Sequence, residues 1–340
     1  MVTIGDVARA AGVSRSTVSY ALSGKRTISE ETRQRIEEAI QRLGFTPNAG
    51  AQTLATAQTK VIGLMLRFHE DEFAPAMLQY VLPISDTARE MGYDMLLVTD
   101  ADGPAALRRI TSTKKVDGLV LLDVTHDDPR IEPLRASGRP GVVIGLPHDT
   151  EGLDVVDLDF SAAATLLVDH LHELGHREVI LVMPPEEVFK RRASYGWRFH
   201  DAVVARSAEL GMAIHPQHGG ANQPTVEAGL HEVLDAHPEA TAMIVHNDAL
   251  VAALPMVLHQ RGVRVPEDLS VVSLFSREFG QTFSLPYTAV ETSPRELGRM
   301  AVEQVVSRLR DGERAGPHRV RLVAPELTRR GSTASPTPGS

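Results

Sequence analysis

From Lys60 to about residue 330 the chain alternates short apolar runs with amphipathic helical stretches, and no other feature restricts its fold so strongly. The runs 61–66, 95–98, 118–122, 142–144, 179–182, 242–245 and 270–274 are rich in Val, Ile and Leu and read as buried strands. Between them lie helical stretches such as 76–91, 161–174 and 249–262. Regular strand–helix alternation predicts an α/β fold with parallel sheets covered on both faces. About 270 residues of it exceed one doubly wound sheet, so two similar lobes are expected.

Open parallel sheets bind ligands outside the carboxyl ends of their strands. The residues that follow the strands are Arg67, Phe68 and His69; Thr99 and Asp100; Asp123; His246, Asn247 and Asp248; Phe275 and Ser276. Polar and aromatic groups converging on one face suit a small polar ligand. Neither G-x-G-x-x-G nor G-x-x-x-x-G-K-[ST] occurs, and a G-x-S-x-G nucleophile elbow is also absent, which argues against nucleotide enzymes and serine hydrolases. The chain has no cysteine, so disulfides, thiol nucleophiles and cysteine-ligated metal centres are excluded. His170 with His172, and His215 with His218, have no evident third ligand, and surface or capping roles are expected for them. No catalytic residue, cofactor or metal is expected. An α/β enzyme fused to the N-terminal segment is the enzymatic alternative, and no nucleophile, base pair or metal cage supports it.

The net charge of −9 is uneven. Residues 1–60 hold eight basic and five acidic side chains, a net of +3, which leaves −12 on the other 280 residues. A basic head on an acidic body is the asymmetry expected where one end meets a polyanion. No apolar stretch is long enough to span a bilayer, and the first ten residues lack the pattern of a secretory signal, so a cytoplasmic protein without a membrane partner is expected.

Three short helical patterns fill the basic head. Thr3 with Asp6 forms a capping-box-like start, Ile4, Val7, Ala8 and Ala11 share one face, and Gly12 ends the first helix. Ser14 caps a second helix over 15–22, with Val18, Ala21 and Leu22 inside and Arg15, Ser16, Ser19 and Tyr20 outside. Ser29 caps a third, with Glu30 and Glu31 in its first turn, Ile36, Ile40 and Leu43 inside, and Gly44 at its end. Two helices joined by a tight turn with a third behind match a helix-turn-helix, whose second helix enters the major groove. Arg15, Ser16 and Tyr20 then read bases, while Thr3, Ser14, Thr17 and Ser19 suit phosphate oxygens. The alternative is a helical packing module with an ordinary solvated face.

The run TIGDVARAAGVSRSTVSYALSGKRTISEETRQRIEEAIQRLGFTPNAGAQTLAT resembles the DNA-binding head of the lactose-repressor (LacI/GalR) family of bacterial transcription regulators over more than 50 contiguous residues. Its D-V-A, A-G-V-S, T-V-S, T-R, L-G-F and P-N elements stand at the family's spacing. The body resembles the family's two-lobed, periplasmic-binding-protein-like sensor in D-H-L-H-E-L-G-H-R, V-D-G-L-V, H-N-D-A, V-P-E-D-L-S-V-V and L-P-Y-T-A-V. The resemblance implies a helix-turn-helix domain over 1–47, a hinge over 48–60, and an effector-binding and dimerisation domain over 61–330. The lobes would be 61–160 with 292–320 and 161–290 with 321–330, followed by a disordered tail over 331–340.

By the same resemblance, Arg15, Ser16 and Tyr20 are the sequence-reading positions, Asn48 joins the DNA contacts, and the hinge folds on DNA so that Leu54 wedges into the minor groove. An ordinary linker with one exposed leucine is the other reading of 48–60. Gln52 stands where many members have arginine, and Gly50 lowers helix propensity. The candidate effector contacts are Phe73, Asp123, Arg192, Asn247, Asp248 and Phe275. Two family positions differ: Ala193 stands where sugar-sensing members often have arginine, and Phe275 where they often have aspartate. The resemblance implies a homodimeric regulator, most often a repressor, on a pseudo-palindromic operator with a small-molecule effector, a sugar being the candidate, between the lobes. A ligand-binding protein of the periplasmic type is the remaining alternative, against which the basic head counts.

Overall fold

The computed structural model describes residues 2–23, 27–45, 58–69, 74–281 and 284–336. The head consists of α1 (Ile4–Ala11), α2 (Arg15–Ser23) and α3 (Glu30–Leu43). Val7, Ala8, Ala11, Val18, Ile36 and Ala39 close a small core between them. Gly12 ends α1 in the left-handed region (φ 66°), which makes the tight turn into α2 possible without strain.

The first lobe comprises β1 (Val61–Met65), α4 (Ala74–Glu90), β2 (Asp94–Val98), α5 (Gly103–Ser112), β3 (Gly118–Leu121), α6 (Ile131–Ser137), β4 (Gly141–Ile144) and β5 (Asp154–Leu158). The second comprises α7 (Phe160–Leu174), β6 (Glu178–Met183), α8 (Glu186–Lys190), α9 (Ser194–Glu209), β7 (Ala213–His218), α10 (Gln223–Ala236), β8 (Ala242–Val245), α11 (Asp248–Gln260), β9 (Ser270–Phe275), α12 (Arg277–Gly280) and β10 (Thr288–Glu291). The chain then returns to the first lobe with α13 (Pro294–Asp311) and β11 (Val320–Val323), and ends its sheets with β12 (Leu327–Thr328) in the second.

The two six-stranded sheets run β11-β5-β4-β3-β1-β2 and β12-β10-β9-β8-β6-β7. Among the described residues, every strand pairing within these sheets is parallel except β10 with β12. Both lobes therefore reverse strand order after their first strand, at β1/β3 and at β6/β8, and these switch points are where such sheets leave a crevice. Strands β3 and β8 are buried at every residue, as strands covered by helices on both faces must be. α13 seals the first lobe: Leu297, Ala301, Val302 and Val305 pack with Val81, Ile84 and Ala88 of α4.

Two expected boundaries are corrected. Residues 321–323 belong to the first lobe, because β11 pairs in register with β5, so the return to the second lobe falls between Val323 and Leu327. The segment 331–336, expected to be a disordered tail, is docked on the second lobe. Ser332 is fully buried, donating from its hydroxyl to Val271 O (2.6 Å) and accepting from Thr288 N (2.7 Å). The fit is through backbone-matching hydrogen bonds, which a Gly/Ser/Pro/Thr composition does not advertise.

The junction with the head is anchored as well. Buried Asp117 accepts from the backbone N–H groups of Thr59 and Lys60 (both 2.8 Å) and from the Thr59 hydroxyl (2.9 Å). The link is thereby fixed to the first lobe at its last residues.

Candidate functional site

At the head, Asp6 accepts from the Thr3 backbone N–H (2.9 Å) and hydroxyl (2.7 Å), and the Thr3 hydroxyl bond leads the interactions that hold the Asp6 carboxyl below its usual range. Ser14 Oγ accepts from Thr17 N (3.1 Å) and lies 2.7 Å from Ser16 Oγ, so it caps α2. Arg15 and Ser16 are exposed on the first turn of α2; Thr17, Ser19 and Tyr20 are half-buried. The Arg15 guanidinium folds back over Gly5, where a Cβ would meet it at 2.8 Å. Arg15 is therefore parked on α1, near the Asp6 carboxyl. Asn48 and Leu54 lie outside the described residues.

Between the lobes lies a cavity of about 180 Å³ with walls from both. Asp123 enters it from the β1/β3 switch point, and His246, Asn247 and Asp248 from the β6/β8 switch point. Asp123 adopts φ 55°; its Oδ2 meets His69 Nε2 at 3.2 Å, while its Oδ1 is buried without a hydrogen-bond partner among the described residues. Ser194 Oγ and His246 Nδ1 line the same cavity and are equally unpartnered. Buried polar atoms are normally satisfied, so three orphans on the facing walls of one cavity mark a place for an incoming hydrogen-bonding molecule or water.

His246 is packed against the rings of Phe199 (4.5 Å), Tyr195 (5.6 Å) and Phe160 (5.9 Å). Burial pushes its pKa down to about 3, so it is a neutral imidazole. Burial pushes the Asp248 carboxyl up to about 7. It also raises Asp157, to about 6, against the pull of Arg198. Tyr80 stays a phenol, since burial and then the carboxyls of Asp157 and Asp248 raise its pKa. Asn247 caps α11 by accepting from Leu250 N (2.9 Å) and donates to Gly220 O (3.0 Å), so its amide is held rigidly on the wall.

Two candidate contacts are corrected. Arg192 does not reach the cavity: φ 58° turns it outward to pair with Asp127 Oδ2 at 2.7 Å. Phe275 points the other way from its neighbours Leu274 and Ser276, as strand alternation demands, and is buried in the second-lobe core. Phe73 lies outside the described residues. The sequence reading missed Gln79 and Tyr80 on α4, Asp157 on β5, and Phe160, Ser194 and Tyr195 beside the cavity. Asp157 alone had an available signal, the end of a strand that its two carboxylates disguised.

The lobes touch around this cavity. Ser194 N donates to Val124 O (3.1 Å) and His126 N to Arg192 O (2.8 Å), forming a backbone bridge. Gln79 meets Ser276 Oγ, and Arg198 pairs with Asp157 while donating to Leu158 O (3.1 Å).

Residues 3–48 match the family described as bacterial regulatory proteins, lacI family, and residues 168–333 match the periplasmic binding protein-like domain. The chain is similar to the HTH-type transcriptional regulator CelR of Thermobifida fusca, with 30% identity over 328 residues covering 94% of this chain and 95% of that protein. It belongs to the lacI family of bacterial regulatory proteins. The regulator is also similar to the HTH-type transcriptional repressor PurR of Aliivibrio salmonicida, at 26% identity with 92% and 93% of the two chains covered. Among solved structures, a CelR–cellobiose complex superposes with a TM-score of 0.68 at 26% identity, covering 98% of this chain and 100% of that one. The lac repressor dimer bound to operator and the anti-inducer ONPF shares the fold, with a TM-score of 0.81 at 23% identity over 98% and 99% of the chains. The regulator is thus a DNA-binding transcription regulator that pairs a helix-turn-helix head with a small-molecule sensor, and its partners are operator DNA and an effector. Among the described residues, no helix is long and apolar enough to cross a membrane.

Proposed function

We propose that the regulator is a homodimeric repressor that reads a pseudo-palindromic operator through α2 and is controlled by a neutral, hydroxyl-rich effector of sugar type held between its lobes. The observation that carries this is the set of unpartnered polar atoms, Asp123 Oδ1, Ser194 Oγ and His246 Nδ1, on the walls of one inter-lobe cavity. A carboxylate, a hydroxyl and a neutral imidazole together accept and donate to hydroxyl groups, and Phe160 and Tyr195 offer apolar ring faces. Asp123, Asp157 and Asp248 make the lining acidic, and Arg198 beside it is engaged by Asp157, which disfavours phosphorylated or carboxylated effectors. The cellobiose bound by CelR agrees with this chemistry.

Arg15 and Ser16 supply base contacts, with Tyr20 one turn further along α2; Thr3, Ser14, Thr17 and Ser19, with Asn48 beyond them, supply phosphate contacts, and Leu54 the minor-groove wedge. The dimer is supported by Leu78 and Leu82, one turn apart on α4 and exposed by 44% and 61%, together with exposed Leu97 on the edge strand β2. Such an apolar face invites a second copy.

Selection of bound sequences from a random DNA pool at stated salt, using full-length protein, tests the operator half of the proposal. One pseudo-palindrome is expected; sequence-independent, salt-sensitive binding alone overturns it. Neutral mono- and disaccharides are then screened against sugar phosphates for a change in operator affinity. A response confined to the phosphates overturns the effector half.

A further inference from the structure

Away from the cleft, at the outer edge of the second sheet, four side chains from three sequence-distant places meet. His215 lies on edge strand β7, Glu178 starts β6 beside it, and His237 and Glu239 occupy the turn between α10 and β8. His215 Nε2 is 2.9 Å from Glu178 Oε2 and 3.6 Å from Glu239 Oε1, and His237 Nδ1 is 3.3 Å from Glu239 Oε1. The two imidazole rings stack with centroids 4.0 Å apart. His218, the partner that sequence spacing offered His215, is instead turned to Pro184 O.

We infer that His215, His237 and Glu239, with Glu178 alongside, form a binding site for a divalent transition-metal ion such as Zn²⁺. The donor set of two imidazoles and carboxylates is one that Zn²⁺ accepts, and its tetrahedral shell with bonds of about 2.0–2.1 Å puts neighbouring donors about 3.4 Å apart. Two of the observed separations, 3.3 and 3.6 Å, lie close to that value, and the donors of His215, His237 and Glu239 all lie within 4.8 Å of one another. Side chains exposed by 24% to 48% close the remainder by rotation and leave room for water in the shell. Charge agrees: with neutral imidazoles the two carboxylates present −2, which one divalent ion cancels. The nearby Arg177 guanidinium does not compete, since it is turned to the carbonyls of His172 and His176. Bound metal would staple the edge strand β7 to the α10–β8 turn and stabilise the second lobe by mass action.

The test uses tag-free, full-length protein with Zn²⁺ as the probe. Competition with a chromophoric chelator is expected to show one Zn²⁺ per chain, accompanied by a rise in melting temperature. His237→Ala and Glu239→Gln should each lose that equivalent and the thermal shift while keeping their circular dichroism. His148→Ala, at the separate His126–His148 ring pair, should keep both. A wild-type protein that binds no Zn²⁺ overturns the site. So does an equivalent that survives His237→Ala and disappears in His148→Ala.

Discussion

Asp127 in the first lobe and Arg192 in the second form an ion pair of 2.7 Å across the divide between the lobes, beside the backbone bridge that joins Thr125 to Ala193. Both side chains are more than half exposed, 64% and 56%, so solvent screens the pair and a contribution of about 0–1 kcal/mol is appropriate. Arg192→Gln should shift the urea midpoint only slightly, and the shift should vanish in about 1 M salt. A larger, salt-insensitive loss would mean that Arg192 holds the lobes together by another route.

Arg308 gives the opposite case. It donates to buried Asp154 at 2.7 and 3.1 Å and to the carbonyl of Pro317 at 2.9 Å; His318 and the Arg319 N–H meet the same carboxylate. Arg308→Leu leaves a buried carboxylate with weakened compensation and should cost about 3–5 kcal/mol in urea unfolding. A loss below 1 kcal/mol would show that His318 and the backbone suffice.

Asp248 should make the stability of the protein depend on pH. Burial raises its folded pKa to about 7, above the unfolded value of 3.8, so its ionisation opposes folding. The penalty begins as pH rises past 3.8 and reaches its limit above about 7. Asp248→Asn should therefore be increasingly more stable than wild type between pH 5 and pH 8, by up to about 4 kcal/mol at about 1.4 kcal/mol per pKa unit. Urea titrations at the two pH values measure this, and a constant difference would place Asp248 in a solvated setting.

Its neighbour His246 titrates in the other sense. A folded pKa of about 3 against an unfolded 6.5 means that the unfolded chain takes up the proton first. Stability is lost as pH falls from 6.5 towards 3, and His246→Phe should flatten that part of the profile. An acid limb unchanged by the substitution would assign the loss to other groups.

Arg15→Ala should relax base preference at one operator position by about 1–3 kcal/mol, read from binding-site selection. Equal weakening on all sequences would make Arg15 a phosphate contact. Leu54→Ala should weaken operator binding with the fold intact; unchanged affinity would remove the wedge.

The strands with no polar or charged residue, such as β3 (Gly118–Leu121) and β8 (Ala242–Val245), were legible because both faces are buried. β5 was not, since its two carboxylates look like loop residues until Arg308 and Arg198 are seen to pair with them. β7 was missed because an edge strand tolerates Pro216 and two histidines. In the site, Asp123, Asn247 and Asp248 could be found from the strand-end rule, whereas Tyr80 and Gln79 face the cleft from a helix that carries no local mark of it. Arg192 and Phe275 failed for backbone reasons, a left-handed turn and strand alternation, that composition does not encode.

The order in which the lobes are completed differs from the order in which they begin. β1 is the first strand made, yet its lobe lacks α13 and β11 until residue 323 has been synthesised. A nascent chain that has reached residue 291 holds five of the six strands of the second lobe, while Val81, Ile84 and Ala88 of the first still await their cover. The head, closed by residue 43, is ready long before either. A premature stop near residue 290 would thus release a finished DNA-reading module attached to a sensor whose older half never closes, a sticky fragment for proteases to clear rather than a constitutive repressor.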